Sequence, residues 1–502
     1  MNKDARIAVT GGRSLAHNTA WNLAGQILPL LAAVFAIPIL IEGMGVERFG
    51  VFMLAWVVLG YFSLFDLGLG RALTKLVAEK LGLGQHEHVA PLTWTALWLM
   101  AGLGVLGALV VLAASGWMLQ FGLGNALPSL QAEAADALLL LALSIPVVLL
   151  TTGLRGLLEA HHRFDLVNLV RIPLGVLHLV APVAVLPFSN QLDVMVALLL
   201  GLRLAMGLAF ALLCLRVAPA LRRPAGISGA YARPMLRFGG WMTVTNVVGP
   251  LMVFGDRFAI GALLGAAAVA YYATPHEVIT KLLFIPAAIA ATLFPAFVAA
   301  LASERRRAAE LFHRGTRWVL LSIFPLALLA VVFAEDGLRL WISAEFALHG
   351  ALVLKWLAAG VFLNSVAQIP FAFVQAAGKP DWTAKLHLAE LPFYFLCLWL
   401  FMQHWGLAGA AAAWALRVAV DTAALTWMSL RIEPGMLAAI RRDALIVAAC
   451  LLLLLPGAAL EDATNEALFV GGILLVFVGF AWRCLLTQQE RAYLRRKLVR
   501  PV

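Results

Sequence analysis

Long apolar stretches recur along the whole sequence, and each is long enough to cross a lipid bilayer as a helix. A spanning helix needs about 20 mostly apolar residues. Taking charged residues and Gly/Pro clusters as breaks predicts fourteen such helices. A membrane barrel would show short segments of alternating polarity instead, so the pattern predicts an all-α polytopic membrane protein. The predicted spans are residues 17–41, 48–66, 89–114, 134–154, 164–187, 191–215, 235–262, 267–300, 316–334, 350–377, 382–403, 406–430, 443–460 and 467–486.

The composition excludes most other classes of protein. Hydrophobic residues make up 63% of the 502 residues and charged residues 13%, against roughly 45–50% and 25% in soluble domains. So few polar side chains cannot cover the surface of a soluble protein of this length, nor keep a chain disordered. The net charge of +10 is distributed between the apolar spans, so it does not indicate a nucleic-acid partner.

The basic residues predict how the spans are oriented. With the amino terminus in the cytoplasm, most of the 37 Lys and Arg residues fall in eight consecutive inside segments, and the outside segments are richer in Asp and Glu. This is the positive-inside rule, and a missed span would reverse the pattern beyond it. We therefore expect a multi-pass protein with both termini in the cytoplasm and no cleavable signal peptide. The basic tail at 491–500 is expected to meet anionic headgroups.

The first six spans and the next six are weakly similar, at an offset of about 220 residues. Trp21 recurs as Trp241, and Gly45 recurs as Gly265. Because six spans is an even number, both halves face the same way, as in transporters built from parallel repeats. The predicted division, with a pseudo-twofold axis between the lobes, is an N-terminal lobe at 1–217, a C-terminal lobe at 218–432, and two more helices with the basic tail at 433–502.

Two interpretations of this repeat stay open. The functional interpretation is two lobes around a central cavity that opens alternately to each side of the membrane. The other is an old duplication in a protein that no longer moves.

Charged residues inside the predicted spans are the strongest candidates for a site. A charge at mid-bilayer costs at least about 2.5–3.5 kcal/mol, so it persists where it faces a wet cavity or a partner. Nine residues qualify, and their summed charge is weakly positive, which suits an anionic ligand. They are Arg171, Arg203, Asp256, Arg257, Glu277, Lys281, Glu390, Arg417 and Asp421.

Most of these charges also have a structural explanation. Glu277 and Lys281, and likewise Arg417 and Asp421, are spaced by four residues and could neutralise each other within one helix. Arg171 lies close enough to a helix end to snorkel to the cytoplasmic surface, and Asp256 with Arg257 could lie at the outer interface. Arg203 has no acid within a turn, so its structural explanation is the weakest.

Uncharged polar residues extend this candidate cavity. Asn18, Asn22 and Gln26 are spaced by four in the first span, and Asn246 is their counterpart in the second half. This stripe is predicted to face the cavity, although hydrogen bonding between helices would explain it too. Asp66 and Arg71, at the cytoplasmic end of the second span, form a predicted cytoplasmic gate.

Enzyme, metal and cofactor motifs are not supported. The G-x-G-x-x-G match at 102–107 lies inside an apolar span with no preceding strand, so it indicates close helix packing. Histidine pairs in two loops lack nearby carboxylates, and the four cysteines are far apart in apolar surroundings. We expect a transporter without a catalytic residue, a metal or a cofactor.

Several short motifs resemble one known family over nearly the whole chain. They include Gly45-Val-Glu-Arg-Phe-Gly-Val-Phe, Asp66-Leu-Gly-Leu, Gly255-Asp-Arg-Phe-Ala-Ile-Gly, Gly378-Lys-Pro-Asp and Gly406-Leu-Ala-Gly-Ala-Ala. With the fourteen spans and the six-plus-six repeat, the sequence resembles the polysaccharide transporter family, the Wzx-like oligosaccharide-lipid flippases. The same superfamily, MOP, holds the MATE drug exporters and the MurJ-type lipid II flippases.

This resemblance implies a bacterial inner-membrane flippase. It implies a substrate, undecaprenyl-diphosphate-linked oligosaccharide, that is moved outwards by alternating access for O-antigen, capsule or exopolysaccharide synthesis. The partners so implied are that lipid-linked oligosaccharide with its anionic diphosphate, membrane lipids, and polysaccharide polymerase or export proteins. Two alternatives stay open: a MATE-type exporter of small molecules driven by protons or sodium, and a non-transporting membrane scaffold of a polysaccharide synthase complex.

Overall fold

The computed structural model describes most of the chain, and all regular structure in the described part is helical. Each predicted span overlaps a helix, because all-round apolar segments of this length satisfy their own backbone groups only as helices. Nine described segments are long and apolar enough to cross a membrane, so the total of fourteen stays a prediction. Described are residues 12–64, 66, 68–123, 128–460, 462–485, 488 and 490–491, without the side chains of 12–27, 59–64, 118, 121–123, 237–250 and 253.

The chain forms two compact units, Met1–Ala270 and Tyr271–Val502. The division falls within one helix, later in the chain than the predicted lobe boundary after residue 217, and the two predicted boundaries, after residues 217 and 432, stay a prediction. The helices that begin in the first unit are α1 Gly12–Met44, α2 Val46–Leu64, α3 Leu69–Gly82, α4 Val89–Leu123, α5 Pro128–Ala160, α6 Phe164–Val185, α7 Leu192–Val217, α8 Gly229–Leu264 and α9 Ala266–Ile279.

The second unit continues from the end of α9 through a short 3₁₀ turn, Thr280–Leu283. Its last long helix runs into one turn of the wider π-helix, Ala481–Leu485. The helices are α10 Phe284–Ser303, α11 Arg305–Val332, α12 Ala334–Trp341, α13 Ala344–Ala376, α14 Pro380–Ile432, α15 Leu437–Ala458 and α16 Ala463–Phe480.

The sequence repeat coincides with matching breaks in the backbone. Gly45 separates α1 from α2 with φ 79°, and Gly265 separates α8 from α9 with φ 89°. His162 precedes α6 with φ 56°, and Gly378 precedes α14 with φ 74°. Residues that carry a Cβ rarely adopt a backbone conformation with positive φ. The same local turn therefore recurs at offsets of 220 and 216 residues, which supports the predicted duplication.

Helix α14 contains two of the predicted spans. Gly406, the first residue of the second span, has φ 54° and ψ −133°, which is not helical. Two pairs of facing residues, Glu390 with Arg417 and His387 with Asp421, show that the segments before and after Gly406 run antiparallel. Gly406 thus turns the chain back on itself and brings residues about 30 positions apart into contact.

Each unit has its own apolar core. In the first unit, buried residues of α3 such as Ala72, Leu73 and Val77 pack in one cluster with residues of α4, α5 and α7. Glu133 joins the beginnings of three helices, since it accepts a two-pronged hydrogen bond from Arg48 at 2.7 and 2.9 Å and a third from the Leu192 amide at 3.1 Å.

Aromatic contacts dominate the core of the second unit. Phe373 packs edge-to-face against Phe297 and Phe312, with ring centroids 5.3 and 5.4 Å apart. Phe324 meets Phe477 of α16 at 4.7 Å. The last long helix is therefore packed onto the same core as α11.

Candidate functional site

A cluster of charged side chains lies inside the second unit, on the two antiparallel halves of α14. Glu390 is 3% exposed and Asp421 is 9% exposed. Glu390 lies ten residues from the start of α14, which is about 15 Å at a rise of 1.5 Å per residue. We call His387, Glu390, Arg417 and Asp421 the α14 cluster.

The contacts within the α14 cluster are long. Arg417 Nη1 is 3.9 Å from Glu390 Oε2, and His387 Nε2 is 3.6 Å from Asp421 Oδ1. Among the described residues, neither carboxylate oxygen of Glu390 has a hydrogen-bond partner. Buried carboxylates are normally satisfied by partners at about 2.7–2.9 Å. The cluster therefore has unused capacity to bind a proton or an ion.

The charge balance of the α14 cluster also indicates that it can bind a proton or an ion. Two acids face one permanent cation, so one negative charge is left unless His387 or a carboxyl group is protonated. The ligand atoms of His387, Glu390 and Asp421 lie within 4.8 Å of one another, which is compatible with a bound ion. Because the Arg417 guanidinium is 3.9 Å from Glu390, a divalent ion would be repelled, and the donor set fits a proton or a monovalent cation better.

Aromatic rings hold the cluster from two sides. The Arg417 guanidinium lies 5.7 Å from the centre of the Tyr394 ring, and Tyr394 is fully buried. Phe371 of α13 stacks on His387 at 6.2 Å with an interplanar angle of 13°. These contacts fix the orientation of the cation and of the imidazole.

The first unit has a different arrangement around Arg203. This residue lies near the middle of α7 and is half-buried. It interacts electrostatically with His178 of α6, whose Nδ1 bonds the Leu174 carbonyl at 2.6 Å. No carboxylate of the described chain lies within 4 Å of Arg203, and its buried Nε has no hydrogen-bond partner there. Arg203 is thus a cation without an acidic partner among the described residues of its unit.

The other predicted charges fall in three settings. Arg171 is exposed on α6. Asp256 and Arg257 are 0% and 3% exposed, and the Arg257 guanidinium donates to Asp256 Oδ1 at 2.8 Å. They therefore form a buried ion pair, and their depth in the membrane stays a prediction.

Glu277 and Lys281 form the ion pair that their i,i+4 spacing predicts. Both side chains are about half exposed, at 43% and 48%. The pair lies where α9 ends at Ile279 and the 3₁₀ turn begins, so the regular helix is interrupted there, between Pro275 and Pro286.

The predicted gate residues have a local role. Both oxygens of Asp66 accept hydrogen bonds from backbone amides at the start of α3, from Gly68 at 2.9 Å and Gly70 at 2.8 Å. Asp66 is buried and Arg71 is exposed. The stripe Asn18, Asn22 and Gln26 lies on α1 and Asn246 on α8, but their side chains are outside the described residues.

Sequence reasoning missed His178, His387 and Tyr394, and it offered another partner for Arg417. The i,i+4 spacing offered Arg417 with Asp421, whereas the structure pairs Arg417 with Glu390 and Asp421 with His387. The spacing of His387 and Glu390, three residues apart on one predicted helix, was a usable signal. The pairing of residues across Gly406 could not be predicted, because it depends on how the chain turns at Gly406.

Comparisons with known proteins agree on family and fold. The family model described as polysaccharide biosynthesis protein matches residues 15–301, more than half of the chain. A putative O-antigen transporter of Shigella flexneri is 32% identical over 432 residues, covering 83% of this chain and 98% of that protein.

Two solved structures share the fold. The lipid II flippase MurJ superposes with a TM-score of 0.67 at 13% identity, covering 94% of this chain and 100% of that one. A multidrug resistance transporter of the MATE family, in the MOP superfamily, has a TM-score of 0.66 at 16% identity, covering 82% and 98%.

Proposed function

The chain belongs to the polysaccharide biosynthesis protein family of the MOP superfamily, and from this premise we propose that it is a flippase for lipid-linked oligosaccharide. The substrate is a glycan on undecaprenyl diphosphate, moved from the cytoplasmic to the periplasmic leaflet of the bacterial inner membrane. The product serves O-antigen, capsule or exopolysaccharide synthesis. The family and the O-antigen transporter that is 32% identical support transport of a polysaccharide precursor.

Arg203 is the observation that carries this proposal. It lies at least ten residues from either end of α7, and no described carboxylate neutralises it. Keeping such a charge in a membrane helix costs at least about 2.5 kcal/mol, so it needs a compensating anion. A diphosphate provides that anion, and the guanidinium fork suits its oxygens.

The mechanism we propose is alternating access, in which the binding residues face the cytoplasm and then the periplasm. The predicted site residues outside the α14 cluster belong to this proposal as contacts to the diphosphate or glycan, with Asp66 and Arg71 near the cytoplasmic entrance. The sugars and the diphosphate need a polar path, whereas the prenyl chain can stay in lipid. With the cell interior negative, outward movement of the anion is favoured by roughly 2.3 kcal/mol per charge per 100 mV.

The α14 cluster favours a cation-linked step as well. Its carboxylates have spare capacity for a proton or a monovalent cation. Binding of one such cation would remove the excess negative charge of the cluster and change how strongly Glu390 holds Arg417. The same observation favours the second candidate function, a proton- or sodium-driven exporter of small molecules.

A genetic experiment separates these functions. Cells that lack the protein should accumulate lipid-linked oligosaccharide that an impermeant periplasmic enzyme cannot reach. Restoring the chain should clear it, with no change in sensitivity to cationic drugs. Normal surface glycan in the deletion strain together with greater drug sensitivity would favour the exporter.

A further inference from the structure

A groove runs along the last two long helices of the second unit, beside α11. Its volume is about 710 Å³, within the range of about 300–1,000 Å³ typical of ligand sites. Its walls are almost entirely apolar on α15 and α16, where they are formed by Leu445, Ile446, Leu453, Ile473, Val476 and Phe480.

The groove has the length of one membrane leaflet. On α15 its wall runs from Arg442 to Leu453, eleven residues, or about 16 Å of helix. The hydrocarbon core of a bilayer is about 30 Å thick, so one leaflet is about half of that. An acyl chain of a single leaflet therefore matches the apolar wall in length and chemistry.

One end of the groove is cationic. Arg317 of α11, Arg442 near the start of α15 and Arg483 just past the end of α16 all line it, together with His313. The positive-inside pattern assigns all three arginines to cytoplasmic segments or their edges. The apolar wall thus begins at a basic patch at the predicted cytoplasmic surface.

Two acids act on Arg317, and each of them has another partner. Asp443 Oδ2 is 2.6 Å from His313 Nδ1, and the other ring nitrogen of His313 contacts the Arg442 guanidinium. With Nδ1–H donated to Asp443, Nε2 accepts from Arg442 and holds it in place. Glu490, which also acts on Arg317, is paired with Arg314 at 3.3 Å.

Arg317 is likewise held in a fixed position. Its Nη1 donates to the Leu485 carbonyl at 2.8 Å, at the end of the π-helical turn. Its Nε is buried without a partner among the described residues. Three guanidinium groups therefore line the groove, while Asp443 is paired with His313.

We propose that this groove binds an anionic phospholipid of the cytoplasmic leaflet. The phosphate lies among Arg317, Arg442 and Arg483, and one acyl chain follows the apolar face of α15 and α16. The charge complementarity and the one-leaflet length carry the inference, which does not depend on what the protein transports.

Cys484 provides a native reporter for this site. It lines the groove beside Arg483 and is exposed, whereas Cys214, Cys397 and Cys450 are buried. The experiment measures the rate of maleimide labelling of the purified full chain in nanodiscs of phosphatidylcholine, with or without phosphatidylglycerol. Phosphatidylglycerol should slow labelling of Cys484 by roughly tenfold, because charge-assisted contacts hold the lipid over it.

Variants show whether the arginines are responsible. Arg483→Gln removes an exposed side chain and should abolish most of the protection, and Arg317→Gln with Arg442→Gln should abolish the rest. Arg306→Gln is the matched control, since Arg306 is 88% exposed in its side chain and lies outside the groove. Its protection should equal that of the unaltered chain.

Two further arms distinguish the source of the phosphate. Inorganic phosphate alone should not protect Cys484, because the acyl chain contributes to binding. Protection by undecaprenyl phosphate and not by phosphatidylglycerol would make the groove a substrate site and overturn the proposal. Equal protection by phosphatidylcholine alone would overturn it too, since the arginines would then select nothing.

Discussion

The two units place an arginine beside an aromatic ring in matching positions, but they surround it with different charges. His178 and Tyr394 are 216 residues apart, and their partners Arg203 and Arg417 are 214 apart. In the first unit no described carboxylate meets the arginine. In the second, Glu390 lies 3.9 Å from it and Asp421 belongs to the same cluster.

This difference indicates that the two units have different roles. An arginine that faces two acids leaves one negative charge, which a proton or a small cation can neutralise. A buried cation that faces no acid requires an anion from outside. We therefore propose that Arg203 binds substrate and that the α14 cluster senses ions, and the following predictions test that assignment.

Removing the unneutralised arginine should have the largest effect. Arg203→Ala should abolish export in a strain that lacks its own flippase, while expression and thermal stability are kept. Arg203→Lys should restore part of the activity, because it keeps the charge and loses the fork. Arg216→Ala changes an exposed arginine on the same helix and should leave export intact. Normal export by Arg203→Ala would remove Arg203 from the site.

Introducing an acid that neutralises Arg203 should remove the difference in charge between the two units. Leu174 lies 216 residues before Glu390 and one helical turn before His178. Leu174→Glu should neutralise Arg203 and reduce export by at least roughly tenfold, since an ion pair competes with the diphosphate. Leu174→Gln has the same shape without the charge and should export far better. Equal activity of the two variants would contradict the assignment.

Removing the arginine of the second unit should mainly destabilise the protein. Arg417→Ala leaves Glu390 buried without its cation, which typically costs about 3–5 kcal/mol. Adding Glu390→Gln should recover much of that loss, because the uncompensated charge is gone. Thermal unfolding in detergent measures the cycle. Additive effects of the two substitutions would show that Arg417 and Glu390 do not interact.

The sequence predicted most of the fold because each membrane-spanning helix can be recognised from one continuous stretch of residues, without knowledge of contacts between distant residues. Length, apolar content and loop charge placed every predicted span on a helix, and the Gly45–Gly265 repeat marked turns that the backbone adopts. The individual residues of the site were predictable from the sequence, but the contacts between them were not. Glu390 and Arg417 are individually expensive in lipid, but their contact depends on the reversal of the chain at Gly406.

Reversing an exposed ion pair should have a smaller effect. Exchanging the charges with Glu277→Lys and Lys281→Glu keeps the i,i+4 bridge while reversing its direction. If Lys281 contacts the diphosphate, as proposed, flipping should fall several-fold in a pH-controlled assay. Glu335 and Arg339 form a bridge of the same spacing and similar exposure outside the site, so their exchange is the control. Full activity of both exchanges would reduce Glu277 and Lys281 to scaffolding.

The smallest effect concerns the Arg48–Glu133 bridge of the first unit. The Arg48 guanidinium and the Leu192 amide hold the pKa of Glu133 below its usual range. A depressed carboxyl pKa stabilises the fold above the unfolded pKa, and that stability is lost as pH falls through the folded pKa.

Glu133→Gln should therefore lower the unfolding free energy by about 1–2 kcal/mol at pH 7 and by less at acid pH. Melting curves of the variant and the unaltered chain across this range measure the difference. A pH-independent difference would show that the charge of Glu133 is irrelevant.

Flipping by the purified protein tests the central assignment most directly. The chain and its Arg203→Ala and Arg203→Lys variants are reconstituted in liposomes that carry undecaprenyl-diphosphate-linked glycan and a set membrane potential. Arrival of the glycan in the opposite leaflet is followed with an impermeant glycosidase. We predict transfer by the unaltered chain that increases when the receiving side is positive, partial transfer by the lysine variant and none by the alanine variant. Equal transfer by all three proteins, or none by the unaltered chain, would contradict the account.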